Sequence, residues 1–502
     1  MSYQRLEKAF YRLAQLDHAI AMLGWDQQVM MPPKGNAARG RALAELQVMS
    51  TEIMQAPSLL EAMAVAESES GGLEDWQQAN LREMVSDIKA ANAVPKELVE
   101  ALAIASNDCE HAWRSLRQDN NWRDFEPLLQ KVVDLTVEKA QALNAALRDE
   151  KGFANDYEAL LDVYDPGTRM KRIDPVFTQL KTELPVLLQE VMERQNAESP
   201  PTGQTSPVEK HRQVDLAHNI MGILGIDFDA SRLDEAAHPF SGGVSDDSRI
   251  TSRYDELDVF GGIMAVIHEC GHSRYETGLN RDWRYRPVGS SMGMGVHESQ
   301  SLFFEMQLGR SRPFIEAIAP LFSKHLADVP AFSANNMYRL CTRVEPGLIR
   351  VNADEVTYPL HVILRYELER DLVLGKAEVK DIPERWDVAM HEHLGLDTTG
   401  NYRDGPMQDI HWPSGSIGYF PSYTLGAMNA AQLYHAMQRA IPDAPELVGR
   451  LELQPIFEWL SANVWQKGRL HSYDDLMTGA TGETLNPRYF LDHLRSRYRR
   501  SD

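Results

Sequence analysis

The chain has 502 residues, 43% of them hydrophobic and 25% charged, with a net charge of −22 at pH 7. That length and composition bury a large core, as one big domain or two tightly joined lobes. The acidic balance argues against nucleic acid and anionic membranes as partners. Uncharged apolar runs such as 261–267 fall far short of the roughly 18 residues that a membrane span needs. The N-terminal "MSYQRLEKAFYRLAQL" is charged and helically patterned, unlike a secretory signal. Cys109, Cys270 and Cys341 are widely spaced, which fits a reducing cytoplasm better than a disulfide scaffold.

Apolar residues recur at intervals of three and four over 6–16, 38–53, 76–90, 95–117, 125–147 and 175–194, predicting helices. Pro95, Pro127 and Pro175 are read as helix starts. The Pro-, Ser-, Thr- and Gly-rich stretch 196–210 predicts a loop. It separates an N-terminal helical lobe (about 1–200) from a second lobe (about 210–502) of a single domain spanning 1–502. Region 236–255 breaks the helical pattern, with two glycines ahead of the β-leaning "RITSRY". It predicts a small hairpin or edge strands, which either hold an extended peptide by strand addition or have no substrate role.

The apolar run 261–267 leads straight into His268-Glu269-Cys270-Gly271-His272. Residues four apart share a helix face, so two imidazoles can grip one Zn²⁺ at about 2.0–2.1 Å. Glu269 is then placed to take a proton from metal-activated water. The bland alternative is a helix that carries these residues by accident. Gly271 costs about 1 kcal/mol of helix propensity, so another backbone is expected to approach closely there. Cys270 faces away from the histidines and reads as a small buried apolar residue.

A catalytic zinc also needs a third protein ligand and an open position. Glu276 follows His268 by eight residues, about 12 Å along the helix, which is too far to share the ion. Glu298 in "HESQ" is the better candidate, on a second helix packed against the first. It also reads as a helix N-terminal carboxylate favoured by the macrodipole. His297 competes for the same role. No Asp follows three or four residues later, so the groups that orient the histidines must come from elsewhere. Helices are predicted over 296–308, 333–344 and 358–374, and the Gly-, Pro- and aromatic-rich stretch 405–426 is expected to shape a site or a tight connection.

Six elements stand in one order: His238-Pro239-Phe240, Asp247–Thr251 (D-x-R-x-T), His268–His272, His297-Glu298-Ser299, Ile349–Asp354 (I-R-x-x-A-D) and Gly405–Trp412 (G-x-x-Q-D-x-H-W). On these, and on the N-terminal "LGWDQQVMMPPKGNAARG", the chain resembles the Taq-type (thermostable carboxypeptidase 1, M32) metallocarboxypeptidases over nearly its whole length. The resemblance implies a mainly α, zincin-type fold with a deep groove and a small β element, usually a homodimer. It implies zinc-dependent removal of single C-terminal residues with broad specificity, often disfavouring proline and acidic residues there. It also implies His268, His272 and Glu298 as metal ligands and Glu269 as general base and acid. Co²⁺ or Mn²⁺ could substitute for Zn²⁺.

A peptide substrate with a free C-terminus calls for an arginine fork on its carboxylate. Arg350 is the first choice and Arg249 the second. Each could equally form a structural ion pair, with Asp354 or Asp247. The oxyanion needs a donor besides the metal, for which Tyr423, His238 and His411 are candidates. Each could also be a packed residue with a satisfied hydrogen bond. His238-Pro239-Phe240 and 408–412 are expected to wall the groove. Two other readings remain: an oligopeptidase or dipeptidyl carboxypeptidase of the same chemistry, and a non-catalytic protein with a structural zinc. The second is disfavoured because structural sites are usually closed by cysteines, and only Cys270 is near.

Overall fold

A computed structural model describes residues 2–236 and 239–499. The N-terminal half folds as α1 (Ser2–Val29), α2 (Asn36–Met54), α3 (Pro57–Ser68), α4 (Asp75–Ala93), α5 (Lys96–Gln118), α6 (Trp122–Lys151), α7 (Asp156–Tyr164) and α8 (Met170–Asn196). Every helix expected from periodicity in this half is present, and all but α5 run beyond their apolar pattern. Asn121 caps α6 by accepting from the Asp124 N–H at 3.2 Å. Pro95 caps α5 as expected, but Pro127 and Pro175 lie inside α6 and α8. Both sit within the first two turns, where few backbone N–H partners are lost.

Residues 197–209 form the expected loop, and the chain re-enters a helix at α9 (Lys210–Ile223). The apolar core has one large body, built from residues between Cys109 and Tyr498. A separate cluster joins α1, α3 and α4 through Leu6, Phe10, Ala62 and Met84.

Three short strands follow: β1 (Ser231–Glu235), β2 (Ser241–Val244) and β3 (Asp247–Ser252), in the order β1-β3-β2. β2 and β3 make the expected antiparallel hairpin, with Gly242 opposite Arg249. β1 adds a parallel partner on the other side of β3, with Arg232 opposite Arg249. Its sequence, SRLDE, is mostly polar and carries no strand signature of its own.

The second half comprises α10 (Val259–Gly278), α11 (Met294–Leu302), α12 (Arg312–His325), α13 (Ala334–Cys341), α14 (Tyr358–Val373), α15 (Ile382–Leu394), α16 (Pro421–Ala440), α17 (Ala444–Gly449), α18 (Gln454–Asn463), α19 (Tyr473–Thr481) and α20 (Arg488–Tyr498). The helix expected over 296–308 is α11 continued by a π-helical segment, Phe303–Gly309. Among the described residues no helix is long and apolar enough to cross a membrane.

Two glycines set the spacing of the central helices. A Cβ on Gly271 of α10 would lie 2.6 Å from the Ser301 Cα of α11 and closer still to the Gln300 carbonyl oxygen. The close backbone approach expected at Gly271 is therefore the α10–α11 crossing. A Cβ on Gly426 of α16 would lie 2.7 Å from the Glu298 side chain. Glu298 is thus clamped between two helices that come close only because both positions lack a side chain.

Candidate active site

His268 and His272 lie one turn apart on α10, and α11 brings Glu298 up to them. The His272 Nε2 is 3.4 Å from Glu298 Oε2, and the His268 Nε2 is 3.9 Å from the same oxygen. One donor atom from each of the three residues falls within 4.8 Å of the others. Two donors held about 2.0–2.2 Å from a tetrahedral ion lie about 3.3–3.5 Å apart. The first separation meets that figure and the second is slightly wider. Glu298 is buried, while the His268 side chain keeps 21% of its surface exposed, so the cluster opens to solvent on one side.

The far nitrogens of both rings are occupied. His268 Nδ1 lies 2.9 Å from Glu305 Oε2, and Arg310 Nη2 donates to the other Glu305 oxygen at 2.5 Å. Glu305 belongs to the π-helical segment, whose wider turn is of the kind that often re-aims side chains at functional sites. His272 Nδ1 lies 2.7 Å from His297 Nδ1, and His297 Nε2 lies 2.9 Å from Glu276 Oε1. One proton arrangement satisfies this chain. His297 donates from Nε2 to Glu276, so its Nδ1 accepts from the His272 Nδ1–H. Both histidines turn Nε2 toward Glu298.

Glu276 and His297, weighed from the sequence as ligands, therefore act one step back from the three donors. The same residues answer the missing acidic orienting group: His268 is oriented by Glu305, and His272 by Glu276 through His297. The sequence carried a signal for Glu305, which lies seven residues after Glu298 and so near the same helix face.

The electrostatics favour a cation here. Burial opposes charge on His268, yet Glu298, Glu305 and Glu269 push its pKa up to about 10. Burial also raises the Glu298 carboxyl, but His268 and His272 pull it down to about 2. Positive charge between these groups is strongly held, and a bound metal displaces such protons. With such protons displaced, two imidazole Nε2 atoms and one carboxylate are a donor set that suits Zn²⁺.

Glu269 is buried beside the histidines. Among the described residues no hydrogen bond or ion pair ties up its carboxylate. Cys270 is fully buried, as expected of a packing residue. Ser248 of β3 and Ser273 of α10 share a hydrogen bond of 2.7 Å that ties the sheet to the helix.

The two C-terminal motifs assemble around Arg350. The Arg350 N–H donates to Gln408 Oε1 at 2.8 Å, and Gln408 Nε2 donates to the Leu348 carbonyl at 2.9 Å. The guanidinium donates to Asp409, not to Asp354, at 2.9 Å through Nη2 and 3.2 Å through Nε. Asp354 instead caps the chain entering α14, accepting from the Val356 and Thr357 N–H groups at 2.9 and 3.0 Å. The fully buried Arg365 also donates to Asp409, at 2.7 Å. Two guanidiniums share one carboxylate, so the cluster carries surplus positive charge.

Arg350 stacks under the Tyr423 ring, 4.6 Å from its centroid. The Tyr423 hydroxyl lies 3.0 Å from His411 Nε2. Burial, with the repulsion of Arg350, lowers the His411 pKa to about 3, so the ring is neutral. Burial pushes Tyr423 up to about 12, so its hydroxyl keeps its proton at neutral pH.

Arg249 commits Nε and Nη2 to Asp247 at 2.8 and 2.6 Å. His238 lies outside the described residues. Its neighbour Phe240 is joined to the D-x-R-x-T motif, because the Phe240 N–H donates to Thr251 Oγ1 at 2.8 Å. The Phe240 ring packs 4.9 Å from that of Trp25 in α1.

The carboxypeptidase Taq (M32) metallopeptidase family profile matches residues 5–498. Thermostable carboxypeptidase 1 of Thermus thermophilus is 36% identical over 99% of this chain and 98% of its own length. Carboxypeptidase 1 of Bacillus subtilis is 31% identical over 99% of each chain. The solved structure of Trypanosoma cruzi metallocarboxypeptidase 1 superposes with a TM-score of 0.96 at 40% identity, covering 99% of each chain.

Proposed function

The chain belongs to the carboxypeptidase Taq (M32) metallopeptidase family and is a metal-dependent carboxypeptidase, and we propose that it uses zinc to release single C-terminal amino acids from peptides with broad specificity. The observation that carries this reading is the convergence of His268, His272 and Glu298 beside an uncommitted Glu269. Zinc bound there would polarise the scissile carbonyl and bring the pKa of water to about 7. Cobalt or manganese could take its place, since availability as well as affinity decides occupancy.

Glu269 takes the proton of the attacking water and returns it to the departing amine. Tyr423, kept protonated by burial, donates to the carbonyl oxygen as charge develops on it. The neutral His411 orients that hydroxyl. Arg350 binds the substrate's terminal carboxylate. Its Nε and Nη2 are held by Asp409, and the second guanidinium on that aspartate supplies the surplus charge that an incoming carboxylate neutralises. Arg249 is the weaker candidate because its fork is closed on Asp247. We propose peptides with a free C-terminus as substrates, a homodimeric assembly and a cytoplasmic location.

The test is mass spectrometry of a peptide of defined sequence, with and without chelator and with Zn²⁺ or Co²⁺ restored. A ladder shortened one residue at a time from the C-terminus, abolished by chelator, is expected. Dipeptide steps would move the assignment to a dipeptidyl carboxypeptidase. Glu269→Gln should retain bound metal and lose about 10²–10⁴-fold in kcat. Unimpaired turnover in that variant would refute the role given to Glu269.

A further inference from the structure

At the C-terminal end of α10, beyond the metal ligands, a solvent-open cavity of about 420 Å³ lies between that helix and α18. This falls within the roughly 300–1,000 Å³ of small-molecule sites. Arg274 forms part of its wall, two residues past His272. Its Nη1 donates to the Gly225 carbonyl at 2.8 Å, while its Nε is sealed from solvent without an acceptor. Its guanidinium carbon lies 5.1 Å from the Phe457 ring centroid and 5.3 Å from that of Trp465.

No carboxylate pairs with Arg274 among the described residues. This sets it apart from the buried Arg350 and Arg365 and the partly buried Arg310 and Arg497, which face Asp409, Asp409, Glu305 and Glu355. A largely desolvated cation without a counter-ion is costly, and an anion supplied from outside removes that cost. The rim is acidic on balance: Asp282 and Glu458 line the same cavity beside Arg281, and neither carboxylate forms an ion pair among the described residues. The last carbonyls of α10 also point toward this end, where a helix favours positive charge. Arg274 lacks an anion, and the rim holds one carboxylate more than it has cations.

We propose that this cavity binds a free α-amino acid, its carboxylate on Arg274 and its ammonium toward Asp282 and Glu458. The inference rests on the reading above, in which free amino acids are the product. It places a product-sensing site on the same helix as two metal ligands.

The test is calorimetric titration of the zinc-loaded Arg350→Ala variant, which lacks the active-site carboxylate anchor, with free L-amino acids. Saturable one-to-one binding is expected. It should weaken roughly tenfold or more for N-acetylated and amidated amino acids, which each lack one charge. Adding Arg274→Met keeps the apolar stem between the rings and should weaken binding to a similar extent. Glu458→Gln, an exposed change that cannot unfold the chain, should weaken binding of the free amino acid and leave the N-acetylated form unaffected. Absence of binding in Arg350→Ala, or binding indifferent to both Arg274→Met and Glu458→Gln, overturns the proposal. The peptide ladder on the unmodified chain reads the function separately. A ladder without amino-acid binding sinks the cavity inference alone, and binding without a ladder supports the cavity while sinking the single-residue reading.

Discussion

Replacing Gly271 by alanine tests whether the metal site depends on one close crossing. The added Cβ would sit 2.6 Å from the Ser301 Cα and nearer still to the Gln300 carbonyl oxygen, where real Cβ atoms keep at least 3.0 Å. Both obstacles are backbone, so no side chain can swing away. To clear the nearer of the two, the Gln300 oxygen, α10 and α11 must part by about 0.6 Å to reach that limit and about 1.0 Å to reach ordinary contact at 3.4 Å. Overpacking of this kind costs about 1–3 kcal/mol, against about 1 kcal/mol of helix propensity gained. The displacement falls on the line between the histidines and Glu298, since Ser301 is one turn from Glu298 on α11. Zinc affinity, measured by competition with a chromophoric chelator, should drop about 10–100-fold, the range seen when a ligand's support is disturbed. Gly262→Ala is the control. It lies on the same helix, and its Cβ would meet the Arg253 carbonyl oxygen at 3.4 Å, so affinity should hold and stability should rise slightly. Full zinc affinity and full activity in Gly271→Ala would refute the argument that this crossing sets the ligand geometry.

Glu305→Gln should weaken zinc binding about 10–100-fold, because the amide is a poorer acceptor for the His268 Nδ1–H; unchanged affinity would remove Glu305 from the orienting role. Arg350→Ala should raise KM and lower kcat for peptides with a free C-terminus, while C-terminally amidated peptides stay equally poor substrates for both proteins; an equal loss on amidated peptides would contradict carboxylate recognition. Burial raises the Glu369 carboxyl from 4.5 to about 7, against the hydrogen bonds from Trp412, Gly418 and Tyr157. The folded chain then keeps a proton that the unfolded chain loses above pH 4.5, so stability falls as pH rises from 4.5 to 7 and stays reduced above. The effect is about 3 kcal/mol. Denaturant titrations of the wild type against Glu369→Gln should diverge over that window, and parallel curves would contradict it.

Helical periodicity made most of the fold legible, because an apolar stripe at intervals of three and four has one cheap way to be buried. β1 stayed hidden: its five residues are mostly polar, and its strand character comes from parallel pairing with β3 rather than from any local pattern. The cluster of His268, His272 and Glu298 was legible through H-E-x-x-H and His297-Glu298-Ser299, since ligand chemistry demands particular residues at particular spacings. Their supports were not. Glu276 was set aside as too far along α10 to share an ion with His268, and nothing in the spacing said it would reach His272 through His297. Arg350 was matched with Asp354, four residues away, whereas its partner Asp409 is 59 residues away in the chain. Nearness in sequence favoured the cap over the counter-ion, and only the folding of two motifs onto one another separates them.

The shared counter-ion of Arg350 and Arg365 has a consequence for ionic strength. The whole molecule carries −22, so a peptide rich in aspartate and glutamate is repelled at long range. In the role proposed for Arg350, the same peptide's terminal carboxylate would meet a local surplus of positive charge where Arg350 and Arg365 share Asp409. At about 0.15 M salt the screening length is about 8 Å, enough to mute the first effect and too long to erase the second at a buried site. Added salt should therefore speed the capture of acidic peptides and leave neutral ones nearly unchanged. With Arg350 in its proposed role, the outer surface would discriminate by net charge and the arginine pair by the presence of a chain end.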